Sequence, residues 1–454
     1  MSKITRLHKG LNIKLRGGAD TRVEQMPPAA SHALCFDDFP GVTPKMLVKA
    51  GDKVKAGTPL FFDKARPEIL FSSPVSGTVA EVVRGDKRKL IAVVITPDPK
   101  QAYEEFKVPA AREATRESVA KAILEAGLWP FIIQRPYGVI ASPADSPKAI
   151  FISGFDTAPL APDLSVTLEA DYDNLLMGIE MLKKLTPGYV RISLDEDGAG
   201  VLHRLYNAEQ HYFSGPHPAG NVGVQIHHID PVNKGETVWT VSPQGVAIIG
   251  RLFNTGKVDM SKRVAVTGSE VVNTHYASVI AGAAIDSIIP ASNIAGQKDG
   301  GTVRVISGNV LTGTSVDRAG GYLRYYDNQV TVIPEGDHYE LLGWAMPRMN
   351  KFSVSRTFFS WLMPWKRYTL DTNLNGGERP FVITGLYEKY LPMDIYPMYL
   401  LKAALAGDID KMENLGIYEV VEEDIALCEF VDPSKTEMQQ ILRDGINLII
   451  KELS

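Results

Sequence analysis

The chain has 454 residues, 44% hydrophobic and 22% charged, with a net charge of -5. That length suggests about three domains with several apolar cores, and the lack of a basic surplus argues against nucleic acid as a partner. Two cysteines, Cys35 and Cys428, without a CxxC spacing, exclude a disulfide scaffold, a cysteine-held zinc site and an iron–sulfur cluster, which takes about four thiolates.

The opening stretch MSKITRLHKGLNIKL is basic, but no apolar run with a small-residue cleavage site follows, so no signal peptide is expected. No run of about 18 apolar residues is present to span a bilayer; the longest candidate, 276–290, contains Asp286. Between 43 and 95, the apolar runs KMLVKA, LFFD, GTVAEVV and LIAVVIT alternate with Gly, Pro and Asp turns and read as strands. GDKVKAGTPLFF and SSPVSGTVAEVV repeat a turn followed by an apolar strand, which predicts a small barrel of intertwined hairpins within residues 1–100.

Residues 98–120 are a polar linker entering a helix over 118–128, with Val119, Ile123 and Leu124 near helical spacing and Gly127 as its stop. From 149 the texture is α/β. AIFISGF, YVRISL, VGVQIHHI and TVWTVS read as strands. DYDNLLMGIEMLKKL reads as a helix with Leu175, Leu176, Ile179, Leu182 and Leu185 on one face. PQGVAIIGRLFNTG predicts a helix opening at Pro243 and closing at Gly256. Strands alternating with helices predict a mostly parallel, Rossmann-like α/β domain over 101–257.

Residues 258–345 read as a β-grasp-like module, with strands RVAVTG, TVRVISGNVL, GYLRYYD and QVTVIPEG around a helix NTHYASVIAGAAI. The rest, 346–454, is an irregular, aromatic-rich segment followed by a helical domain. There Ser434 and Glu437 form a capping-box pattern ahead of Met438, Ile441, Leu442, Ile446, Ile449, Ile450 and Leu453. The fold class is therefore α+β, multidomain.

GDKVKAGTPL with SSPVSGTVAEV resembles the barrel-sandwich module of biotinyl and lipoyl carriers. The carrier role needs a modifiable lysine with Met or Asp/Ala flanks on the hairpin tip; DKARPEILF offers Lys64 without those flanks, so no carrier lysine is expected. ESVAKAILEAGLWPFIIQRPYG resembles the helix that runs into a glycine-rich flavin loop in the NADH-binding subunit of respiratory complex I and in the C subunit of the Rnf complex. Glycines there let backbone N–H groups approach a phosphate. Here Leu128, Trp129, Pro130, Phe131 and Ile132 fill the place, and Pro130 has no N–H to donate. The Rnf protein would also need ferredoxin-type cysteines, which this chain lacks. His217, His227 and His228 invite a metal reading, but neighbouring histidines on a strand face opposite ways and no acidic partner sits at ligand spacing, so no metal is expected.

The segment FSGPHPAGNVGVQIHHIDPVN (213–233), with LFNTG, LLGWAMPRMNKFSVSR (341–356), MDIYP and EEDIALCEFVDPSK, closely resembles the A-subunit family of sodium-pumping NADH:quinone reductases. The resemblance implies a peripheral protein on the cytoplasmic face of the bacterial inner membrane, docked on the membrane-embedded B subunit. It also implies a complex that uses FMN, FAD, riboflavin, iron–sulfur, NADH and quinone, with the redox groups in the other subunits and none in this one. LCEFVDP resembles a cluster-binding region reduced to Cys428. The aromatic, basic stretch 351–367 reads as a quinone- or membrane-facing surface or as packing against partner subunits, and the second is favoured in a multi-subunit complex. A quinone headgroup site would need an apolar slot and a polar donor; His217 and Arg356, both in the signature segments, are the candidates for the polar groups.

Overall fold

The structure, a computed structural model, describes residues 4–295, 301–336, 338, 340, 342–343, 346, 348–382 and 385–453. Of the signature segment 341–356, Leu341, Trp344, Ala345 and Pro347 lie outside the described residues, as does the Leu453 side chain.

Two small sheets make the barrel-sandwich unit. One orders the strands His32–Cys35, Leu90–Pro97, Gly77–Arg84 and Lys53–Val54; the other orders Pro44–Met46, Pro59–Asp63 and Leu70–Ser72. Alternation sends Val93 and Ile95 of one strand inward, and Leu60, Phe61, Phe71 and Val79 are likewise fully buried or nearly so. Phe61 and Phe71 stack with centroids 4.3 Å apart.

A seven-stranded sheet forms the second unit, in the order Ile4–Arg6, Glu209–Ser214, Tyr189–Asp195, Ala149–Ser153, Val238–Thr240, Ile133–Arg135, Val139–Ile140. The first five strands run parallel, and the last two form an antiparallel hairpin at the edge. Its helices Tyr172–Leu185 and Pro243–Thr255 follow the sequence expectation, the second capped by Ser242 and closed by Gly256 in the left-handed region. They pack on the face lined by Ile150 and Ile152, while Ala149 and Phe151 face the other way onto Ile226.

VGVQIHHI was expected as a strand and is the helix Val222–Ile229. It connects two parallel strands of one sheet, Glu209–Ser214 and Val238–Thr240, and such a connection must cross over rather than turn back. Its short apolar run carries no period that separates the two readings.

The third unit is a six-stranded sheet: Thr314–Val316, Val303–Ser307, Gln329–Pro334, Ser261–Thr267, His275–Ile280, Val23–Gln25. Here the expected helix NTHYASVIAGAAI is the strand His275–Ile280, paired on both edges, and only Ile285–Ile288 is helical. One of those edges is Val23–Gln25, some 250 residues away in sequence, a partner no local pattern reveals. GYLRYYD, expected as a strand, lies outside every strand of this sheet; Tyr325 and Tyr326 instead pack against Phe39 and Phe131.

The last part is helical: Pro397–Ala406, Ile409–Asn414, Glu422–Val431 and Met438–Leu453. Met438, Leu442, Ile446 and Ile449 are fully buried along one face. The helix opens at Met438, past Ser434, so the capping box does not form. Asp432 organises this entry, accepting from the backbone N–H groups of Ser434 (2.9 Å) and Thr436 (2.8 Å), and Ser434 Oγ donates to Pro380 O. Among the described residues no helix is long and apolar enough to cross a membrane.

The first 25 residues are shared out. Ile4–Arg6 edges the seven-stranded sheet, Leu15 bridges to Tyr368, and Val23–Gln25 edges the six-stranded sheet.

Candidate functional site

An open α/β sheet binds ligands at the carboxyl ends of its strands, where the strand order reverses. Here the reversal lies between Ala149–Ser153 and Val238–Thr240, beside the N-terminus of helix Pro243–Thr255. Helix Arg116–Glu125 runs toward the same region and ends at Gly127, whose φ of +65° and contact with Ser72 leave no room for a Cβ.

The residues that follow pack this region solid. Leu128, Trp129 and Ile132 are fully buried. Trp129 meets Trp239 edge-on at 5.6 Å and donates from Nε1 to Ala141 O at 2.8 Å. Phe131 stacks on Tyr325 at 4.9 Å, and Tyr326 donates from its hydroxyl to Pro130 O at 2.7 Å. A void lined by Phe131, Gln244, Lys262, Tyr325 and Tyr326 among others is about 10 Å³, room for a single water.

Asp38 fixes the plug from the barrel side. It pairs with Arg324 and accepts from Tyr325 N at 3.0 Å, while burial raises its carboxyl to about 6. Lys262 donates to the carbonyls of Tyr325 (3.1 Å) and Asp327 (2.6 Å), and burial lowers its ammonium to about 8. A flavin phosphate needs open backbone amides, and the loop instead presents proline and bulky side chains already in contact, so these residues do not fit that group.

The hairpin tip is clamped as well. Arg66 holds Asp63 at 3.1 Å and donates to Ile140 O at 2.8 Å across the unit boundary, so the tip carrying exposed Lys64 is tied to the neighbouring sheet.

The three histidines diverge. His217 is buried, with Nδ1 3.1 Å from Thr157 Oγ1, its backbone N–H on Asn12 Oδ1, and burial pushing its imidazole down to about 4. His227 lies with Nδ1 2.7 Å from Glu419 and accepts from Asp394 N at Nε2 (3.1 Å), which ties the α/β unit to the helical one. His228 sits with Nδ1 2.9 Å from Val224 O, one helical turn back. Among the described residues no group of three potential metal ligands comes together. Arg356 is exposed, at a φ of +62°, with its guanidinium 5.5 Å from the Trp361 ring. Among the described residues no hydrogen bond, ion pair or ring contact joins it to His217. Cys428 is fully buried, and burial pushes its thiol up to about 12, so it is an inert core group.

Sequence reasoning missed one constellation. Buried Arg135, on the edge hairpin, donates to Asp424 at 2.6 Å and pairs with Glu423 at the start of helix Glu422–Val431. Arg443 pairs with Glu422 and donates to Tyr137 O at 2.9 Å. Gly223 leaves the space: a Cβ there would strike both the Asp424 carboxylate and Arg135. The available signal was Arg135, the one charged residue of the hairpin strands 133–135 and 139–140, and three consecutive acids, Glu422 to Asp424.

Three family models match the chain in order: the NqrA N-terminal barrel-sandwich hybrid domain over residues 5–98, the NqrA second alpha/beta domain over 114–258, and the NQRA C-terminal domain over 263–318. The A subunit of the Na(+)-translocating NADH-quinone reductase of Rhodopirellula baltica is 38% identical, covering 99% of this chain and 98% of that protein. The A subunits of the same enzyme from Photorhabdus laumondii and Neisseria meningitidis are 38% and 37% identical, each covering 98% of this chain and 99% of theirs. The chain belongs to the NqrA family, the A subunits of Na+-translocating NADH-quinone reductases. As a member of that family it works as one part of a multi-subunit enzyme, and the other subunits are its partners. A chain of the NAD+-reducing [NiFe]-hydrogenase superposes with a TM-score of 0.39 at 11% identity, covering 76% of this chain and 62% of that one, too loosely to bear on the site.

Proposed function

We propose that this protein is a scaffold without a redox group of its own, held at the cytoplasmic face by the membrane-embedded B subunit and positioning the flavin-bearing and NADH-oxidising subunits. The observation that carries the reading is the plug: Leu128, Trp129, Phe131, Tyr325 and Tyr326 fill the region at the strand ends where a flavin phosphate would need open amides. The purified full-length chain is then colourless and does not oxidise NADH. Stoichiometric flavin, seen as a yellow colour that bleaches on reduction, overturns the reading. Docking on the B subunit is tested separately, by recovering the two together from native membranes; a complex assembled without that pairing ends it.

A second reading is a quinone headgroup site at His217 and Arg356. Its supporting observation is that His217 stays neutral, so the ring keeps one N–H for a quinone carbonyl. Against it, the two side chains sit in different surroundings, His217 on Thr157 and Arg356 over Trp361. A photoreactive quinone labels peptides around these residues if the reading holds; labelling confined to another subunit removes it.

A further inference from the structure

From 341 to 370 the sequence carries five cations, Arg348, Lys351, Arg356, Lys366 and Arg367, and no carboxylate, in a chain whose net charge is -5. Arg348 and Lys351 are neutralised by Glu340. Among the described residues, Arg356, Lys366 and Arg367 have no ion pair. The backbone brings two more cations alongside: Arg16 N donates to Tyr368 O at 3.0 Å and Tyr368 N to Lys14 O at 2.8 Å, which places exposed Lys14 and Arg16 beside the segment. Neither of these has an ion pair among the described residues. Between these cations stand Phe359, Trp361, Leu362 and Trp365, the last 76% exposed and Trp361 52%.

We infer that this surface rests directly on an anionic lipid bilayer. Tryptophan with one apolar and one polar edge is suited to the headgroup layer. Unpaired lysine and arginine are drawn to a negatively charged leaflet. The core of a protein–protein interface takes aromatic rings and arginine but is depleted in lysine, and here Lys14 and Lys366 stand without an ion pair among the described residues beside the exposed rings. The rest of the sequence carries the negative balance, so an anionic surface attracts this side of the protein more than the molecule as a whole. This contact is made by the chain itself rather than through a partner subunit, and it does not depend on whether the chain carries a flavin.

The test uses the purified full-length chain and vesicles of phosphatidylcholine with or without phosphatidylglycerol, read by co-flotation and by the blue shift of tryptophan emission. The chain floats with the anionic vesicles at least about tenfold more tightly than with the zwitterionic ones, and high salt weakens the binding. Trp361→Ser with Trp365→Ser, and separately Lys366→Glu with Arg367→Glu, each lower the affinity at least about tenfold while the circular dichroism spectrum and melting temperature stay at the parent's values. Failure of the parent chain to float with anionic vesicles overturns the inference, as does binding by both variants that equals the parent's. Loss of co-purification with the other subunits in these variants, when the parent chain ignores vesicles, reassigns the patch to a protein partner and also overturns it.

Discussion

Arg135 is a fully desolvated charge whose stability depends on Asp424 and Glu423 across the boundary between the α/β and helical units. Removing the sole partner of a buried charge costs about 3–5 kcal/mol, and Glu423, still facing Arg135 after loss of Asp424, offsets part of that. Asp424→Ala is therefore expected to lower the thermal unfolding midpoint sharply, and a midpoint unchanged by the substitution would show that the clamp contributes nothing. His217 gives a pH signature. Its folded form titrates near 4 and its unfolded form near 6.5, so the unfolded state binds the extra proton in between. The resulting stability is fully present above about pH 6.5 and is lost as pH falls toward 4, by at most about 3 kcal/mol. His32, also held down by burial, adds to the slope. Chemical denaturation across that range measures it; His217→Gln is expected to flatten the curve without abolishing it.

Helices Tyr172–Leu185 and Pro243–Thr255 touch through their backbones. A Cβ at Gly250 would collide with Asn174 O, and one at Gly178 with Val246 O. Gly250→Ala is expected to cost about 1–3 kcal/mol through overpacking, against a change within about 0.5 kcal/mol for Gly377→Ala, where open space surrounds the site. Equal melting temperatures for the two variants would contradict the close approach. These two helices were legible in the sequence because they carry an apolar face and end signals: Pro243 and Gly256 for one, Pro187-Gly188 after the other. Helix Val222–Ile229 and strand His275–Ile280 were not, since a short apolar run takes its form from its neighbours: a parallel crossover in one case, two flanking strands in the other. The candidate site divides the same way. The bulk of Leu128 to Ile132 could be read directly, whereas Tyr325 and Tyr326 reach it from a unit some 200 residues further on, and Asp38 from one some 90 residues earlier.

Across the whole molecule, the N-terminal segment is what the separate units share. Strand Ile4–Arg6 pairs with Tyr212 to Ser214, Leu15 with Tyr368, and Val23–Gln25 with Tyr276 to Ser278. Deleting residues 2–25 is expected to speed amide hydrogen exchange at the exposed edges of both sheets, at Tyr212 to Ser214 and at Tyr276 to Ser278 together. Exchange confined to one of them would mean that the segment serves only that sheet.

The same threading sets an order of events on the ribosome. Tyr212 is made more than 200 residues after Ile4, and Tyr368 more than 350 residues after Leu15. At about 5–20 residues per second this leaves the leading strand unpaired for on the order of ten seconds to a minute. A bare β-edge is prone to pairing with the wrong chain during that wait. The barrel, whose strands all lie between 32 and 97, is complete far sooner. The nascent protein therefore starts folding at its barrel, while its leading strands wait for partners made hundreds of residues later.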